Sequence, residues 1–206
     1  MTDKEMLQVQ HVQIAGGTNS AEDVCVDTKK AATVRLQDEL TGALIGLARA
    51  IDDPALAYAE TWTIMTEGLM ATALDACISD ATLETLIQSV RAEKARLAPG
   101  CSSCTAPCGR TADYDMQALW TAEEEVRALK LRILADLREI ASHIAHAPAQ
   151  QDEETDVYLL LYEALFKIGY DESTEALMTT VRKVEEMKPV LADRKLLGKR
   201  HCRFVM

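Results

Sequence analysis

The sequence predicts an all-α fold, two consecutive three-helix bundle units joined by a cysteine-bearing loop. Three observations predict it. Apolar residues recur at helical spacing almost throughout, the pattern of the first half returns in the second, and the stretch between them holds three of the six cysteines.

Residues 1–32 read as an N-terminal arm. Its only pattern is the strand-like alternation "LQVQHVQIAGG", Leu7–Gly17, which either adds to a partner's sheet edge or stays frayed. The first unit spans 33–98. Leu36, Leu40, Leu44, Leu47 and Ile51 lay one apolar stripe along a helix that Asp52, Asp53 and Pro54 end. A second helix over about 55–77 turns Trp62, Met65 and Leu69 inward, and a third over about 81–97 carries Leu83, Leu86, Ile87 and Val90. The cysteine loop is 99–113, the second unit 114–192, and a basic tail 193–206 ends the chain. Within the second unit Leu129, Ile133, Leu137, Ile140 and Ile144 repeat the first stripe at a constant spacing of 93 residues. Trp62, Met65, Glu67, Leu69 and Met70 reappear as Tyr158, Leu161, Glu163, Leu165 and Phe166 at 96, and Glu84, Leu86, Val90 and Arg91 as Glu175, Leu177, Val181 and Arg182 at 91. The spacing changes only at loops, as expected of a duplicated unit.

Charge excludes some partners. With 33 acidic against 22 basic residues and a net charge of -11, the surface repels phosphate backbones and anionic lipid, so neither nucleic acid nor membrane is expected. No secretory signal or long apolar run is visible, and a cytoplasmic location is expected. Thiols stay reduced there, so clustered cysteines point to metal or redox chemistry rather than disulfides.

The cluster is "GCSSCTAPCGR", Gly100–Arg110, with Cys101, Cys104 and Cys108 in a Cys-x2-Cys-x3-Cys arrangement. Pro99, Gly100, Ser102, Ser103, Pro107 and Gly109 let the backbone curl and aim its amides at sulfur. The spacing suits three corners of an iron–sulfur cluster or of a zinc tetrahedron, or a metal-free linker in a helical interaction module. For a fourth ligand, Cys77 is separated from the loop by the length of the third helix, about 25 Å. Cys25 and Cys202 lie in the tails, either of which reaches the loop if extended. His201, or a second subunit in a homo-oligomer, is a further source.

"CGRTADYDMQALW", Cys108–Trp120, resembles the segment of hybrid cluster proteins (prismane proteins, often called hydroxylamine reductases) in which the last N-terminal cysteine leads into a helix. "LQDELTGALIGLARA", Leu36–Ala50, and "EALFKIGYDESTEAL", Glu163–Leu177, are similar to helices of that family's bundles. The resemblance implies a helical-bundle domain carrying an iron–sulfur cluster, a 4Fe-4S cubane or a two-iron form, that exchanges electrons with a redox partner protein. It assigns Cys101, Cys104 and Cys108 as ligands. The cysteines precede both bundles in the family but lie between the units here. The residues that bind the family's hybrid cluster on later domains have no counterpart, so hydroxylamine reduction is not carried over.

Other candidates have plainer readings. His143 and His146 are one turn apart without a facing carboxylate pair, and Glu67 and Glu163 lack the Glu-x2-His motif of di-iron bundles. Glu123–Glu125 and Asp152–Glu154 suit helix starts. No phosphate loop or nucleophile elbow is present, so no catalytic residue is assigned.

Overall fold

Leucine and isoleucine at three- and four-residue steps can leave water together only on a helix, and the computed structural model shows such helices closing on one core. It describes the backbone of residues 21–52, 54, 59–73, 78–97, 112–145, 151–170 and 172–201, and their side chains except those of 21–29, 145, 151–155 and 193–201. The elements are α1 (Ala21–Ala50), α2 (Ala59–Ala71), α3 (Asp80–Leu97), α4 (Met116–Trp120), α5 (Glu124–Ala145), α6 (Gln151–Ile168) and α7 (Thr174–His201). The all-α expectation holds, with no strand among the described residues. The alternating segment Leu7–Gly17 lies outside them.

The two stripes face inward as matched sets. Leu40, Leu44 and Leu47 on α1, and Ile133, Leu137 and Ile140 on α5, have no solvent exposure. In each half the first and third helices make the broadest contact, α1 with α3 and α5 with α7. The halves do not keep separate cores. α2 packs on α5 and α1 on α6, and a single cluster of buried residues runs through both. That pattern is what an approximate twofold axis between the halves produces. Trp62 and Tyr158, which occupy equivalent positions, stack on each other with ring centroids 5.6 Å apart and planes 10° from parallel.

Polar details repeat as well. Buried Gln37 donates from Nε2 to the Ala73 carbonyl at 2.7 Å, satisfying the end of α2. Its equivalent, buried Lys130, donates from Nζ to the Tyr170 carbonyl at 3.2 Å, beyond the end of α6. Ser79 and Ser173 each accept from a backbone N–H three residues on at 3.2 Å, starting α3 and α7.

These serines correct the expected register of the third helices. Their spacing is 94 residues, and at 94 the core residues Leu83, Ile87 and Val90 fall on Leu177, Val181 and Val184. A surface ion pair follows with its signs reversed: Arg91 of α3 bonds Glu39 of α1, whereas Glu185 of α7 bonds Arg132 of α5. The predicted spacing of 91 is off by three residues, almost one turn, a slip that keeps an amphipathic pattern nearly in phase.

Two further boundaries differ from expectation. α1 begins at Ala21, inside the predicted arm. α7 continues through Pro189 to His201, so most of the predicted tail is helix.

Candidate functional site

The cysteine segment leaves α3 after Leu97 and returns to described structure at Ala112. Cys101, Cys104 and Cys108 lie outside the described residues, as do Cys77 and Cys202. What the structure gives is the frame that holds the segment's two ends.

That frame begins with glycine. Gly42 and Gly46, one turn apart on α1, leave a smooth strip against which the returning chain lies. A Cβ built on Gly42 would stand 2.5 Å from the Tyr114 carbonyl oxygen, and one on Gly46 would stand 2.8 Å from that of Ala112. The contact is fixed by a backbone bond, Tyr114 N–H donating to the Gly42 carbonyl at 2.9 Å. Equivalent positions on α5 hold Ala135 and Glu139, both exposed.

Charge locks the same turn. Asp113 accepts from Arg91 Nε at 2.9 Å and Nη2 at 2.7 Å, and from Lys94 Nζ. Arg91 also reaches Glu39 at 2.9 Å. Burial alone would raise the pKa of Asp113, but the bonds from Lys94 and Arg91 outweigh it and hold the carboxyl below its ordinary value. Lys94 is buried, 4% of its side chain exposed, and pairs there with Asp113. Both lysine and arginine lie on the last two turns of α3. The chain therefore returns beside the helix end it left, closing a 14-residue segment, 98–111, into a loop tied at both ends.

This geometry sorts the expected fourth ligands. From the level of Gly46, α1 carries Cys25 about 31 Å away, at 1.5 Å per residue, toward the opposite end of the molecule. Cys108, five residues before Asp113, reaches at most about 18 Å from it. The backbone at Cys25 is thus helix rather than a free tail. In the sequence Cys202 follows directly on His201, the last residue of α7.

No protein-family model, curated protein or solved structure matches the chain. Its functional reading rests on its own residues.

Among the described residues no group of three or more His, Cys, Asp and Glu side chains can hold a metal. His146 lies outside them. His143 is half-buried with Nε2 3.7 Å from Glu139, and its Nδ1 has no hydrogen-bond partner. Beside it Lys188, the equivalent of Lys94, bonds Asp136 at 2.7 Å and also reaches Glu139. The hydrogen bonds it donates to these two carboxylates raise the lysine's pKa. Glu67 and Glu163 are exposed, and Glu163 pairs with Lys183 at 3.4 Å.

Sequence reasoning missed Asp113, Arg91, Lys94, Gly42 and Gly46 as a unit. The one available signal is the Gly-x3-Gly spacing in a helix, which costs stability unless a backbone approaches closely. No described helix is long and apolar enough to cross a membrane.

Proposed function

We propose that this is an iron–sulfur protein in which Cys101, Cys104 and Cys108 hold a cluster and the helical body presents it to a redox partner protein. The observation that carries the reading is the lock on Asp113 and Tyr114. Three thiolates serve a common centre only if their loop is confined, and tying its return to α1 and α3 removes much of the entropy that confinement would otherwise cost. A bound cluster supplies one-electron transfer. The chain supplies thiolates, loop amides that donate to sulfur, and a fixed point of attachment. A 4Fe-4S form needs a fourth ligand from Cys25, Cys202, His201 or a second subunit. His201 is the last residue of α7 and Cys202 follows it in the sequence.

The test is anaerobic purification and reconstitution with iron and sulfide. Visible charge-transfer absorption, with iron and acid-labile sulfide in equal amounts, is expected, and Cys104→Ser should lose most of both. Zinc without iron would replace the cluster with a structural staple. A colourless, metal-free protein whose melting temperature ignores Cys104→Ser would leave the cysteines as a linker in an interaction module.

A further inference from the structure

The groove between α6 and α7 has a volume of about 600 Å³ and an apolar floor of Val157, Leu160, Met187 and Val190. Its twofold equivalent is not a groove of the same kind. There Thr61, Glu93 and Arg96 take the places of Val157, Met187 and Val190, and they close on one another: Glu93 accepts from Thr61 Oγ1 and from Arg96 Nε at 2.7 Å. Val190 is left 45% exposed. One half fills the space with its own side chains; the other keeps it apolar and open.

The third helices also differ in length. α3 stops at Leu97, whereas α7 passes the equivalent Leu191 and runs ten residues further, about 15 Å beyond the core. From Asp193 to His201 this extension carries Arg194, Lys195, Lys199 and Arg200 against one acid, with Leu196 and Leu197 between them, in a chain whose net charge is -11. The exposed charges among the described residues lining the groove are Asp156, Glu163 and Glu186, with Lys183 as the one base.

We propose that the groove receives the α7 extension of a second copy of the chain, so that two copies exchange residues 193–201 about a twofold axis. A basic helix with an adjacent leucine pair matches an acidic-sided apolar groove in charge and polarity. The extension starts three residues after Val190, the groove's last lining residue, so each copy offers groove and occupant side by side. Exchange between them closes in a symmetric pair. His201 and Cys202 lie within 193–206, so the Val190→Glu variant, which keeps both, reads the contact apart from any ligand role of theirs.

Sedimentation velocity of the full chain over a range of concentration tests it. A species of twice 22.7 kDa is expected, weakening as salt screens the charge match. Deleting 193–206, or Val190→Glu on the exposed groove wall, should each raise the dimer dissociation constant by ~100-fold. Helical circular dichroism of the Val190→Glu protein should stay unchanged. Mixed together, the two variants should re-form a dimer with one intact exchange, tighter than either makes alone. A wild-type chain monomeric at every concentration, a dimer that survives the deletion, or a mixture that stays monomeric overturns the proposal.

Discussion

On one half of the molecule the outer strip of the first helix is Gly42 and Gly46 under a connector, and the groove between second and third helices is filled by a Thr61–Glu93–Arg96 network. On the other half the same strip is Ala135 and Glu139, and the same groove is apolar and open. What the halves share is what closes the core: the leucine stripes, the buried donors Gln37 and Lys130, the serine caps. Where they differ, nothing about the shared core requires the difference. Those positions are where function is to be sought, because a common scaffold does not fix activity.

The sharpest way to break the comparison is to remove equivalent core side chains. Leu44→Ala and Leu137→Ala should each cost about 2–5 kcal/mol, and by similar amounts, since both leucines are fully buried. Because the core is continuous, either variant should melt in one transition by calorimetry; two transitions would mean that the halves fold separately.

A smaller, asymmetric effect is expected on the first helices. Gly42→Leu should destabilise by about 1–3 kcal/mol, because its side chain must displace the Tyr114 backbone, and metal retention should fall with it. The equivalent Ala135→Leu, on an exposed position, should change the melting temperature little. Equal effects would show that the connector is not seated on the glycine strip.

Acid titration follows. The Asp113 carboxyl has a lower pKa folded than unfolded, so its contribution is complete above the unfolded value near 4 and disappears as pH falls through the folded one. Urea unfolding of wild type should therefore lose stability over that acid range. Asp113→Asn should be weaker at neutral pH by about 1 kcal/mol, after allowance for solvent screening, and should show a flatter acid slope.

Least affected should be the sign-reversed ion pairs. Arg132→Glu with Glu185→Arg would give the second half the polarity of the first, and the double variant should lie within about 0.5 kcal/mol of wild type because both side chains are exposed. Each single reversal sets like charges together and should cost more than the double.

Helical periodicity made the fold class legible, and the constant spacing of Leu36–Ile51 to Leu129–Ile144 made the duplication legible, because burial restricts those positions one by one. The third-helix register was not, since a three-residue slip preserves the apolar face and only the Ser79 and Ser173 caps break the tie. The extent of α1 before residue 33 and of α7 after 192 was also hidden, because the leucine and isoleucine spacing of the stripes does not continue into either segment. For the site, the three cysteines stood out in the sequence, but their frame did not. Asp113 meets Arg91 across 22 residues and Arg91 meets Glu39 across 52, and charged side chains at such separations carry no local pattern.

The central claim is that a connector tied at both ends brings three sulfurs to one point. Titration with cobalt(II) under anaerobic conditions reads that convergence directly, through thiolate-to-cobalt charge-transfer bands. Saturation at a single equivalent per chain is predicted, with the bands intense in wild type, lost in Cys104→Ser and weakened in Gly42→Leu. Absence of these bands from the folded wild-type protein would contradict the account.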